Sequence, residues 1–498
     1  MTTSPPHGFM VLHSNQLEGL RDLMVQFIHN NPLPPLVPEV LLVQSNGMKH
    51  WLELALASDQ ALGICAATQI ELPSAQLWQM YRAVLGQDVV PAHMPLDKSA
   101  LVWRLMRRLP DLLTQPVFEP LAQYLGHDTR SAPPDAPSDA TSQANHSRRA
   151  YQLALQLADV LDGYQNYRAD WLDDWAATLD RLNTAHGTPI AVPDAQQWQP
   201  ALWRDLLQDL AHDTPADLRF RSRADVHEAF VKALQQLPDG VRPSGVPQRL
   251  VVFGVTSLPM QTVQALAALG RVCQVLMLVQ NPCQYFWGHV VESRRPLPQW
   301  TRQRHTHKTS LPLPSDSFTP AEQYQLHTDS NPLLAAWGKH GRDYLHLLDG
   351  FDDVARYRHQ FQRVDVFVDP VTTAHEQQRA ATTLERLQSD LLNLNPAPAT
   401  TEPLPTGDQS VTFVQTHSAQ REVEVLHDRI LAWLDAQPQL QPGDIMVMVP
   451  DMAVFAPHIH AVFGRFAAHT PRHIPYSVAD TTPRTEPLVQ ALDVLLQL

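Results

Sequence analysis

The chain has 498 residues, 44% hydrophobic and 18% charged, with 37 Lys and Arg against 51 Asp and Glu for a formal net charge of -14. This is an ordinary globular composition with room for several domains; it excludes a uniformly basic nucleic-acid coat but leaves local Arg clusters open. Cys65, Cys273 and Cys283 are too few and too scattered for a disulfide framework or a thiolate zinc site.

Residues 1–8 lack a basic start followed by an apolar core, and no uncharged apolar run reaches bilayer length, so a cytoplasmic chain with no membrane contact is expected. The 24 histidines are spread out, and His305/His307 and His458/His460 lack a carboxylate or cysteine at ligand spacing, so no metal is expected. Much of the proline lies in 31–38, 131–137 and 395–405, which read as connectors.

Residues 10–13 read as a short strand. Leu17, Leu20, Leu23, Met24 and Phe27 put an amphipathic helix over 17–27. A nucleotide hydrolase would place a Gly-rich turn and a Lys between this strand and helix; the chain has HSNQLEGL, so no phosphate grip is expected. Residues 40–43, Val-Leu-Leu-Val, form a buried parallel strand that ends in Gln44-Ser45-Asn46-Gly47 and opens a helix over 48–57. Ligands bind beyond the carboxyl ends of such strands, so Gln44, Asn46 and His50 are candidate base-reading or phosphate-holding groups.

Leu72-Pro73 breaks the next apolar segment before a helix carrying Trp78. Residues 96–113 form an amphipathic helix whose Arg104, Arg107 and Arg108 read as a solvated face, with a stripe along a phosphate backbone as the alternative. Residues 127–148, rich in Ser, Pro, Asp and Ala, read as a disordered insertion. Helix 151–167 carries Asp159 and Asp162 on one face, where a carboxylate beside DNA can accept from a cytosine amine, and Arg168 follows. Arg219, Arg221 and Arg223 precede another helix.

Strand 250–253 ends in Gly-Val-Thr-Ser, where an ATPase would carry metal-holding acids. Strand 272–279 and a helix over 331–348 follow. Beyond a Pro- and Thr-rich linker at 395–410, a second α/β unit is expected, with strands at 411–415 and 444–449, helices at 421–434 and 454–463, and a final helix at 486–498 that stops without a cap. That uncapped stop suggests the N-terminal portion of something longer.

In their order and wording these pieces resemble the RecC family, the gamma subunits of exodeoxyribonuclease V, through VQSNGMKHWL, YRADWLDDW, NPCQYFWG, NPLLAAWGKHGRDYL, SAQREVEVLHDRILAWL and IMVMVPDMAVFAPHIHAVFG. The resemblance covers nearly the whole chain and matches the N-terminal half of the family; the segment 127–148 looks longer than is usual there. It implies an α/β fold of superfamily-1 helicase-like parallel-sheet domains with helical insertions and lost ATPase motifs. Residues 1–394 would be the first domain and 411–498 the start of a second.

The resemblance further implies a channel that scans single-stranded DNA for the hotspot Chi. Residue by residue, that channel would use Gln44, Asn46, His50, Leu72, Trp78, Asp159, Val160, Asp162, Arg168 and Arg223. Asn46 stands where the family has Thr, His50 where it has Gln, and Val160 where it has Leu, which puts the sequence read in doubt. No catalytic residue and no cofactor are expected in the chain, with RecB-like and RecD-like partner subunits using ATP and Mg and DNA, double- and single-stranded, as the other partner. An AddB-type helicase–nuclease subunit and a truncated reading frame are the rival readings.

Overall fold

The computed structural model describes residues 7–58, 63–91, 93–125, 140–184, 188–213, 220–238, 240–288, 331–352, 366–396, 403, 405–478, 491 and 495, with the backbone alone for 140–146. Two compact units divide the chain, Met1–Ala381 with Glu385–Glu402, and Thr382–Leu384 with Pro403–Leu498.

The first unit begins with three strand–helix pairs: β1 (Gly8–Ser14) and α1 (Leu17–Asn30), β2 (Glu39–Val43) and α2 (Asn46–Ser58), β3 (Thr68–Glu71) and α3 (Pro73–Leu85). A helical insertion follows, with α4 (Lys98–Leu112), α5 (Glu119–Leu125), α6 (Ala140–Tyr167), α7 (Ala169–Ala176), the short antiparallel pair β4 (Arg181–Leu182) and β5 (Ile190–Ala191), and α8 (Trp198–Asp213). The chain returns through α9 (Arg223–Gln236), β6 (Arg249–Phe253), α10 (Met260–Leu269) and β7 (Gln274–Gln280), then α11 (Pro332–Trp337), α12 (Lys339–Asp349), α13 (Pro370–Glu376) and α14 (Thr383–Leu392).

β1, β7, β6, β2 and β3 lie in that order in one parallel sheet. Both faces of the central strands are covered, so residues 40–43 of β2, 250–253 of β6 and 275–279 of β7 are apolar and buried, whereas at the edge strand β3 only Ile70 is buried. Because strand side chains alternate, Val40, Leu42, Leu250 and Val252 pack with Leu77, Phe230 and Leu266 of α3, α9 and α10. Leu41, Val43, Val251 and Phe253 pack on the opposite face with Leu20 and Met24 of α1 and Leu52 of α2. The insertion has its own core, in which Leu105, Leu157, Trp175, Leu202 and Leu206 are buried together.

Several expectations need correction. Of the segment expected to be disordered, 127–139 lies outside the described residues, but from Ala140 onward the chain is already in α6. Ala, Gln and Arg there are good helix formers, and they extend the helix whose Leu153, Leu157 and Leu161 are buried. The single helix expected over 331–348 is two, α11 and α12, separated at Gly338, whose N–H closes α11 on the Leu334 carbonyl at 2.8 Å.

In the second unit, α15 (Ala419–Ala436) and α16 (Met452–Phe463) are present, whereas 411–415 and 444–449 are not strands. A strand exists only where a neighbour takes its backbone groups. Neither segment has such a neighbour among the described residues, and Phe413, Met446 and Met448 stay 85–95% exposed. Of the final expected helix only 491 and 495 are described. Among the described residues no helix is long and apolar enough to cross a membrane.

Candidate nucleic-acid interface

Gln44 stands at the carboxyl end of β2, exposed, and its Oε1 accepts from Thr256 N at 3.2 Å and Thr256 Oγ1 at 3.0 Å. The donors on Thr256 fix the orientation of the amide, so Nε2 is the group left to donate outward. Ser45 Oγ accepts from Met48 N at 3.2 Å and starts α2, which leaves Asn46 exposed in the first turn. His50, one turn on, is exposed and 3.9 Å from Glu53.

Leu72 takes the cap position of α3 in extended conformation, 37% exposed, ahead of Pro73. Trp78 is half-buried and packs edge-on against Tyr81 with ring centroids 5.6 Å apart. Tyr81 reaches His227 Nδ1 at 3.1 Å, one turn of α9 beyond Arg223. Trp78 is thereby both a part of the core's edge and a partly open ring.

Of the α6 residues, Asp162 lies against Arg223. Arg223 Nε lies 3.0 Å and Nη2 2.8 Å from Asp97 Oδ1, and Nη1 is 3.6 Å from Asp162 Oδ1. Asp162 Oδ1 is buried and has no hydrogen-bond partner. Asp159 pairs with Lys98, and Val160 beside it is 43% exposed. Arg223 is placed because Ser222 caps α9 in a capping box with Asp225, which fixes where the helix begins.

Arg168 is committed elsewhere. It donates to both oxygens of Asp170 at 3.0 and 2.8 Å and to the Asn183 carbonyl, and its guanidinium lies 3.8 Å over the Trp171 ring. The contacts of Arg168 therefore join it to α7 and the turn beyond β4, not to Arg223. Of Arg104, Arg107 and Arg108 only Arg107 is exposed, and none is left unpaired. Asp205, Asp209 and Asp213, four apart on α8, pair with all three: Arg104 to Asp209 at 2.9 Å, Arg107 to Asp209 at 2.7 Å and Arg108 to Asp205 at 2.6 Å. The stripe is a neutralised helix–helix seam rather than a phosphate track.

Where a nucleotide hydrolase would grip phosphate, the first loop is tied to the chain itself. Ser14 Oγ donates to the Val366 carbonyl at 2.8 Å, while Asn15 donates to the Val368 carbonyl at 2.7 Å and accepts from Val368 N at 3.0 Å.

Three residues beside the expected set were not assigned to the site from the sequence: Asp97, Lys98 and Thr256. Asp97 precedes a helix and so looks like a cap, but its carboxylate accepts from Met94 N and holds Arg223 instead. Nothing local marks Lys98, whereas Thr256 follows the carboxyl end of β6, the position that marked Gln44 after β2.

A family model described as RecC, N-terminal domain, matches residues 9–394. The RecBCD enzyme subunit RecC of Escherichia coli is 35% identical over 98% of this chain and 41% of that protein, and that of Haemophilus influenzae 31% identical over 98% and 42%. The corresponding subunit of Mycolicibacterium smegmatis is 27% identical over 91% of this chain and 34% of that protein. The chain thus spans about two fifths of the length of the first two relatives. With most of its length matched by that model, the chain belongs to the RecC family.

Proposed function

We propose that this chain is the DNA-recognising and strand-splitting part of a RecBCD-type helicase–nuclease, exodeoxyribonuclease V, acting in double-strand-break repair by homologous recombination in the cytoplasm. Its first unit would be a superfamily-1 helicase-like domain that has lost ATP chemistry and reads single-stranded DNA for Chi. RecB-like and RecD-like partners would supply the motors and the nuclease with ATP and Mg. The relatives named above are RecBCD subunits, and the loop HSNQLEGL, tied to Val366 and Val368, has neither the glycines nor the Lys of a phosphate cradle.

The observation that carries the reading is the Asp97–Arg223–Asp162 cluster. Asp97 occupies the Nε and Nη2 edge of Arg223 and leaves the Nη1 end beside an acceptor with no hydrogen bond of its own. An oriented arginine next to an unanswered carboxylate oxygen can address a guanine edge and a cytosine amine. Trp78 would add a stacking surface and Gln44 a donor. The test is strand affinity across a salt series for the chain assembled with its partners. Trp78→Ala should lose about 1–3 kcal/mol with little change in salt slope. If Arg223 holds a phosphate, Arg223→Ala should reduce the slope; if it reads guanine, preference should relax at one position. Unchanged binding and preference in both folded variants would overturn the assignment.

A further inference from the structure

Two of the stretches that carry the family resemblance, NPCQYFWG at 281–288 and NPLLAAWGKHGRDYL at 331–345, take no part in the cluster around Arg223. They meet beyond the carboxyl ends of β1, β6 and β7, where they wall a cleft of about 610 Å³. The buried Trp287 is locked into this wall by two glycines. A Cβ at Gly338 would lie 2.8 Å from its ring and 2.3 Å from the Leu334 carbonyl oxygen, and one at Gly341 would lie 3.1 Å from the ring. A side chain at Gly338 would not fit, and one at Gly341 would crowd the indole.

Two polar groups lining the cleft are left unanswered. Asn281 is 3% exposed, and its Oδ1 accepts from Trp287 Nε1 at 2.8 Å and from Cys283 N at 3.2 Å, which identifies the remaining atom as the Nδ2 donor. Nδ2 has no acceptor, and the hydroxyl of Tyr344, itself 5% exposed, has no partner either. Buried polar groups of this kind are destabilising unless something answers them. At the rim, Trp337 is 82% exposed, and Thr256, which holds Gln44, also lines the cleft. None of the described lining residues is Lys, Arg, Asp or Glu, and two of them, His13 and His340, are histidines.

The size suits a nucleoside-sized group, the lining suits a neutral planar one, and the Gln44–Thr256 bond joins the cleft to the reading loop. We propose that the cleft takes one unpaired base of the single strand, stacked on Trp337 with an acceptor on its edge turned toward Asn281 and Tyr344. This rests on the single-strand reading above and adds to it a site for a base lifted out of the strand's path. The described lining offers no Lys or Arg to pair with a phosphate.

The experiment uses the chain assembled with its partner subunits and a single strand carrying one 5-iododeoxyuridine, moved along the strand and photo-crosslinked, with the modified peptide identified by mass spectrometry. One register should crosslink to Trp337, and Trp337→Ala should weaken strand binding about tenfold with an unchanged salt slope. Thermal unfolding of that variant should match the parent, since the ring is exposed. A strand that binds and crosslinks at Trp78 or the Gln44 loop, never at Trp337, and binds Trp337→Ala equally well, would overturn the cleft site and leave the channel standing. Absence of any strand binding by the parent chain would overturn both.

Discussion

Arg223 and Asp97 are joined through two donors on one oxygen, Nε at 3.0 Å and Nη2 at 2.8 Å, so the start of α9 and the residue before α4 hold one guanidinium in one orientation. Asp97 is a positioning residue in this arrangement. Asp97→Ala should weaken the contribution of Arg223 to strand recognition, and it should add little once Arg223 is already Ala, because residues that act as a unit are not additive. A double-mutant cycle on strand preference measures this. Fully additive losses would detach Asp97 from the site.

At the opposite, amino edge of the sheet, Arg249 is fully buried and pairs with Glu39 at 2.8 Å, donating also to Gln274 and to the Asn31 carbonyl. Removing one partner of a buried pair leaves the other charge uncompensated. Arg249→Ala should therefore cost about 3–5 kcal/mol, while Arg249→Met with Glu39→Leu should recover much of the loss. Denaturant unfolding checks it; a single-variant cost no larger than that of a surface ion pair would contradict it.

His227 is buried between Tyr81 and Gln264. Burial holds its pKa below the ordinary 6.5, against the opposing effects of the Gln264 bond and the Glu228 charge. The folded chain then binds fewer protons than the unfolded one as the pH falls past that value. The contribution of His227 to stability is complete above the unfolded pKa and is lost progressively below it. His227→Gln should be less stable than the parent at pH 8, by a margin that shrinks toward pH 5. A margin that grows on acidification would contradict the placement of His227.

Burial also pushes the thiols of Cys273 and Cys283 up to about 12, whereas Cys65 is partly exposed. Reactivity follows the thiolate and its access. With a disulfide reagent at pH 8 the folded chain should show one fast thiol and two that react only on unfolding. Three fast thiols would contradict the packing around β7.

A fluorescent ATP analogue with magnesium should show no micromolar binding to the chain, since HSNQLEGL has no Gly-rich turn or Lys and its Ser14 and Asn15 are bonded to 366 and 368. Micromolar affinity in an equilibrium titration would contradict the proposed loss of ATP chemistry.

The central sheet was legible because a parallel strand covered on both faces must be apolar throughout, which Val40 to Val43 and Leu250 to Phe253 are. The pairing of Arg104, Arg107 and Arg108 was not, because their acids lie far along the chain; the four-residue spacing of Asp205, Asp209 and Asp213 was the available signal. Strands at 411–415 and 444–449 were overread because the order of segments along the chain suggests a strand, while a strand also needs a neighbour. Of the candidate site, Arg223 and Asp162 lie 3.6 Å apart, whereas Asp97, which orients Arg223, resembled an ordinary helix cap.

The most direct test of the base-reading account is Asp162→Asn, an isosteric change that converts part of an acceptor into a donor. In the chain assembled with its partners, competition among single strands that vary one position at a time gives the preference at each base. The account predicts that preference collapses or changes at one position and persists at the others, since a carboxylate accepts from a cytosine amine and an amide group can also donate. Preference unchanged at every position, in a variant that unfolds like the parent, would contradict it.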